Sequence, residues 1–155
     1  MRRITGIAAV LGVFALALLV YGQSAPARNP LVGAWRITEI ADGTGAPITN
    51  PQPGLYIFAA QHYSFARING TKPLPDYPSN DKATDADKVA VFNALYLNTG
   101  TYTVTGNQLA TKAMVAKSAF AIGGAGNQYE FSVTGNVLTL TQKPMGPVLK
   151  LVRLE

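Results

Sequence analysis

Beyond residue 30 the chain alternates apolar and polar positions in short stretches, each bounded by Gly, Pro, Asn or Asp. Alternation with a period of two marks a half-buried strand, because successive side chains leave a strand on opposite faces. The pattern predicts eight strands, over Gly33–Ala41, Leu55–Ala60, His62–Asn69, Gly100–Thr105, Gln108–Lys117, Gln128–Thr134, Val137–Gln142 and Val148–Leu154. Two of the connections repeat one local sequence. Val104-Thr105-Gly106-Asn107-Gln108-Leu109 matches Val133-Thr134-Gly135-Asn136-Val137-Leu138, and Gly-Asn between apolar runs is suited to the positive φ angles of a tight hairpin turn. The second and third strands are almost continuous, so they also form a hairpin, whereas a Gly-rich loop over Ile122–Gly126 precedes the sixth. One region departs from the period. Thr71–Ala83 is rich in Pro and reads as irregular; Thr84 then suits a helix cap, with Asp85 and Asp87 near the positive end of the helix dipole. Val89, Phe92, Leu95 and Tyr96 follow at helical spacing, with Gly100 shortly after the end.

The expected fold class is therefore all-β: an eight-stranded antiparallel up-and-down barrel with one short helix between the third and fourth strands. Closing the sheet removes its edges. Parity sorts the connections. The links 2–3, 4–5 and 6–7 are tight and share one end; the longer links 1–2, 3–4, 5–6 and 7–8 frame a mouth at the other. The first strand starts, and the last strand finishes, at the closed end. Trp35 and Arg153 are thus expected to meet there, where an Arg over an indole contributes about 0.5–2 kcal/mol. Phe58, Phe65, Phe131, Leu138, Leu140, Leu149 and Leu151 have inward parity. They suit either a packed core or an apolar pocket, since an eight-stranded barrel accommodates both.

Ahead of the barrel, Met1-Arg2-Arg3 supplies a positive start and Gly6–Tyr21 is uncharged. Small residues follow at Gly22-Gln23-Ser24 and Ala25-Pro26-Ala27. This is the pattern of an export signal helix over residues 1–27, cleaved after Ser24 or Ala27 and leaving a barrel domain over 28–155. A retained membrane anchor over residues 4–21 is the alternative, because the apolar run approaches the ~20 residues of a span. Export places the mature domain in the periplasm or outside the cell.

Composition narrows the chemistry. The 48% hydrophobic and 14% charged content excludes a disordered polyelectrolyte. No Cys is present, which removes disulfides, thiol catalysis and thiolate metal sites; the single His removes multi-imidazole centres. No metal and no cofactor are expected. The net charge of +5 falls to +3 without Arg2 and Arg3, and the remaining cations are scattered, so no nucleic acid is expected as partner.

Few residues then carry candidate chemistry. Arg67 shares inward parity with Tyr63 and Phe65 at the mouth end of its strand, where a guanidinium suits a carboxylate or phosphate head group. Glu39 shares the parity of Trp35 and Ile37 and is expected to point inward near the mouth, where it either joins that site or pairs with Arg67. Tyr56, Tyr102 and Tyr129 stand at the mouth-proximal starts of the predicted strands and suit a pocket rim as well as any half-buried strand. His62 falls at the closed-end turn, away from the mouth and without an orienting partner. Asp76, Asp81, Asp85 and Asp87 lack the order of an EF-hand loop and read as a solvated loop and helix start.

Gly33-Ala34-Trp35-Arg36, Gly100-Thr101-Tyr102-Thr103-Val104 and Gly135-Asn136-Val137-Leu138-Thr139-Leu140, together with the late Arg153, resemble the bacterial and fungal lipocalin-like domain family over about residues 30–155. The resemblance implies a lipocalin-like barrel in which Gly33, Trp35 and Arg153 are structural. It also implies a His within the fifth strand, which reads Leu109-Ala110-Thr111-Lys112-Ala113-Met114-Val115 here, so chemistry through such a His is not expected. The expected function is binding of one small apolar or amphipathic ligand in the barrel, including an acidic lipid-like one. The alternatives are an isomerase- or cyclase-type enzyme and an envelope interaction protein with a filled barrel. A membrane partner enters only through an uncleaved N-terminus.

Overall fold

The computed structural model describes residues 29–155; the expected signal helix and its cleavage site lie outside the described residues. Eight strands close into one barrel in sequence order: β1 (Gly33–Ala41), β2 (Gly54–Phe58), β3 (His62–Ile68), β4 (Leu95–Thr105), β5 (Gln108–Ala116), β6 (Asn127–Thr134), β7 (Val137–Lys143) and β8 (Val148–Arg153). Every neighbouring pair is antiparallel, and β8 closes on β1 with Trp35 opposite Arg153 and Ile37 opposite Leu151. Two helices interrupt the strands: α1 (Asp85–Ala94) between β3 and β4, and α2 (Ala119–Gly123) between β5 and β6.

All the apolar side chains expected to point inward do so, and Tyr56, Tyr63, Tyr102, Tyr129 and Leu109 join them in one core. Aromatic rings meet across its middle. Tyr56 stacks on Phe65 at 4.0 Å, while Phe58 and Tyr129 approach the same ring edge-on at 5.3 and 6.3 Å. Stacked and edge-to-face pairs of this kind add about 0.5–1.5 kcal/mol each beyond their buried area. Of the two interiors an eight-stranded barrel permits, this region has the packed one.

Four details depart from the sequence expectation. First, β4 begins at Leu95, directly after α1, because Ile68, Arg67 and Ala66 pair across to Leu95, Tyr96 and Leu97. Leu95 and Tyr96 therefore belong to the strand. The helix is set by its capping box, in which Thr84 and Asp87 satisfy each other's backbone N–H groups, and not by burial: Val89 and Phe92 are each 57% exposed. Second, the register of β1 slips between Ile37 and Glu39, a bulge that leaves Thr38 out of the register with β8, its hydroxyl donating to Lys150 O at 3.1 Å. The parity beyond it inverts, so that Ile40 joins the core and Glu39 faces outward. Third, the Gly-rich connection contains α2, which lacks a side-chain cap and has no buried residue. Fourth, in each Gly-Asn turn the glycine takes positive φ, +60° at Gly106 and +57° at Gly135, and the asparagine does not.

Candidate functional site

At the closed end, the lead-in Asn29–Val32 folds across the barrel floor. Leu31 is fully buried and its carbonyl accepts the Trp35 indole N–H at 2.7 Å. The Arg153 guanidinium lies 4.0 Å from the Trp35 ring centroid and donates to the carbonyls of Val32 and Pro30, both at 2.7 Å. Gly33 makes this possible. A Cβ there would stand 2.7 Å from Arg153 Nη1, and the backbone takes φ of +136°. Tyr102 belongs to this end. Its hydroxyl donates to Ala59 O in the β2–β3 turn at 2.7 Å and accepts from Asn29 at 2.8 Å. The mouth-proximal placement expected for Tyr102 is thus corrected: with β4 starting at Leu95, residue 102 lies toward the strand's far end. His62 is exposed beside the same turn.

The mouth end holds Arg67. Arg67 points inward, its guanidinium 4.7 Å from the Tyr96 ring centroid. Its Nε donates to Asn69 at 2.9 Å and one terminal nitrogen reaches the Tyr56 hydroxyl at 3.5 Å. Among the described residues Arg67 has no carboxylate partner. The expected inward Glu39 is absent from this group. The bulge turns it to the outer face, where its carboxylate meets Lys150 at 2.8 Å.

Around Arg67 the phenols converge. Burial raises the pKa of Tyr56, with the Arg67 charge opposing. Burial also raises Tyr129, and the hydroxyls of Tyr96, Tyr56 and Tyr63 lie near enough to add to the effect. Tyr63 is raised by burial as well, with the neighbouring Thr111 hydroxyl opposing. Tyr56, Tyr63 and Tyr129 are therefore neutral at physiological pH and can donate hydrogen bonds, but are unsuited to act as bases. Beside Arg67, on the outer side of β1–β3, an apolar groove of about 390 Å³ is lined by Pro53, Leu55, Ala66, Ile68, Leu95 and Leu154, with Arg36 and Arg67 also bordering it.

Sequence reasoning missed a second polar group. Asn98 and Thr111 are 4% and 3% exposed, and the Tyr63 hydroxyl donates to the Asn98 carboxamide oxygen. Thr111 was accessible to parity, since it follows Leu109 by two. Asn98 was not, because it precedes the predicted start of its strand. Among the described residues no three carboxylates or imidazoles gather as a metal site; Asp85 lies 3.5 Å from Lys88, Asp81 4.0 Å from Lys82, and Asp87 caps α1.

The closed eight-stranded array with an Arg packed over the Trp of its first strand decides the architecture. The fold is a lipocalin-like barrel. It is similar to the crystal structure of a lipocalin-like protein from Bacteroides uniformis, with a TM-score of 0.50 and 11% identity over 81% of this chain and 100% of that one. A crystal structure of an uncharacterized protein from Bacteroides eggerthii is also similar, with a TM-score of 0.48 and 12% identity over 79% of this chain and 98% of that one. At 11% identity the first likeness speaks for the lipocalin-like fold alone. No protein-family model and no curated protein matches the sequence.

Proposed function

We propose that this lipocalin-like protein is an exported binding module for one small amphipathic acid, held at the mouth and not in the barrel's centre. The aromatic packing around Phe65 occupies that centre. The observation that carries the reading is Arg67: a half-buried guanidinium, stacked on Tyr96, without a carboxylate partner among the described residues. A carboxylate is the complement such a fork lacks. The apolar groove lies on the outer face of the same strands, bordered by Arg67, so the rest of the ligand would cross the rim to reach it. Export rests on the sequence of residues 1–27, and secreted protein is expected to begin at Ala25 or Arg28.

The test compares decanoic acid with decanol. Arg67→Ala should weaken the acid tenfold or more, in line with about 1.5–3 kcal/mol for a charge-assisted hydrogen bond, and should leave the alcohol unchanged. Equal losses for both make Arg67 structural. If the unmutated protein binds neither, the envelope interaction reading replaces this one.

A further inference from the structure

Pairing between β5 and β6 stops early. It covers Gln108–Thr111 against Asn127–Glu130, so Lys112–Ala116 has β4 on one edge and the α2 connection on the other. A hollow of about 270 Å³ lies there, between Tyr63, Asn98, Thr111 and Ala113 on the barrel side and residues 120–127 over them. It is far larger than the space one water needs.

Its chemistry is uneven. Ala113, Phe120, Ala121 and Ala125 supply apolar walls. The base is polar: the Tyr63 hydroxyl donates to Asn98 Oδ1, while Thr111 Oγ1 donates to Asn127 O at 3.3 Å. That arrangement leaves Asn98 Nδ2 without a partner among the described residues, although the residue is 96% buried. No buried side-chain nitrogen or oxygen of the described residues is both sealed from solvent and unpaired, so this N–H₂ retains access through the hollow. A buried donor that faces a hollow is satisfied by an acceptor that enters it. None of the ten lining residues carries a charge. An ionised ligand would lose its hydration there and gain no counter-ion.

We propose that this hollow in the barrel wall is a second binding site, taking a small uncharged molecule with one hydrogen-bond acceptor, such as an aryl ketone or amide. The acceptor meets Asn98 Nδ2, and the ring lies against Ala113 and Ala121 under Phe120. Phe120 itself is 88% exposed, so α2 covers the site without being bound into the core, and entry requires no opening of the barrel.

The experiment is a titration of full-length protein with acetophenone and with benzoate, read by ¹⁵N-resolved NMR. Acetophenone should shift the Asn98 side-chain amide and the backbone amides of Thr111, Ala113 and Ala121, with a dissociation constant in the millimolar range expected of a fragment. Benzoate should leave them unmoved. Ala113→Leu fills the hollow without touching its hydrogen bonds and should weaken acetophenone at least tenfold. Asn98→Ala should do the same and is read only if its spectrum remains dispersed. Arg67→Ala should leave acetophenone binding intact, which separates this site from the acid site at the mouth. If acetophenone moves none of these resonances, or if Ala113→Leu binds it as well as the parent does, water alone fills the hollow and the proposal is overturned.

Discussion

The two ends of the barrel each place an arginine over an aromatic ring, and they use it in opposite ways. At the closed end, Arg153 is 4.0 Å from the Trp35 centroid and spends its terminal nitrogens on the carbonyls of Val32 and Pro30 at 2.7 Å. At the mouth, Arg67 is 4.7 Å from Tyr96, with one full hydrogen bond to Asn69 and a long 3.5 Å approach to Tyr56. The ring contact is common to both. What separates a structural arginine from one available to a ligand is whether its donors are already taken by groups that cannot leave. Backbone carbonyls of the lead-in are such groups; a phenol at the limit of hydrogen bonding is not.

The largest expected effect breaks the closed end. Arg153→Ala removes the ring contact and two charged hydrogen bonds and should cost about 2–4 kcal/mol, read as a lower Tm with a shift in Trp35 emission. Ligand affinity at the mouth should not change in molecules that remain folded. An unchanged Tm would show that the lead-in, not the arginine, closes that end.

A smaller effect tests the tyrosines. Tyr102→Phe loses the bonds to Ala59 and Asn29 and should lower stability by about 1–2 kcal/mol without altering decanoic acid binding. Tyr56→Phe should reverse the pattern, with a measurable change in affinity for the acid and less change in Tm. If both behave alike, the division between the two ends fails for their phenols.

Arg67→Ala should then cost under about 1 kcal/mol in stability, because only a single exposed bond and a cation–π contact are lost. Urea melts of the Arg67 and Arg153 variants, measured side by side, give the ratio directly. Comparable losses would place Arg67 among the structural residues.

The smallest effects are at the surface. The Glu39–Lys150 pair should contribute less than about 1 kcal/mol by double-mutant cycle, as expected for half-exposed ions. Asp87 offers a pH signature. Its pKa is lowered by the Thr84 hydrogen bonds, so its support for α1 is complete above the ordinary carboxylate range and is lost as pH falls through the lowered value. Acid titration should fray α1 before it affects the closed end, and amide exchange of residues 85–88 reports it. Simultaneous loss at both places would mean that the helix is held by more than its cap.

Most of the barrel was legible because strand alternation is a local signal. The eight strands, the capped helix and the meeting of Trp35 with Arg153 follow from a period of two, a Thr-Asp cap and the parity of hairpins, all of which operate within a few residues. Parity fails wherever a residue is added. One bulge after Ile37 reversed Glu39, and a strand start five residues early carried Tyr102 to the opposite end and hid Asn98. Arg67 was legible as an inward cation, since no bulge intervenes between it and Phe65, but its want of an ion partner was not. That depends on where every other charged side chain comes to rest.

The sequence by itself determined the topology, the closed end and most of the side chains in the core, because these depend on which face each residue presents. The tertiary structure alone decided whether that core is hollow, where β5 and β6 part, and which donors remain unused. Those properties depend on ring volumes meeting from five strands and on distances between residues 30 to 120 positions apart, for which no local period exists.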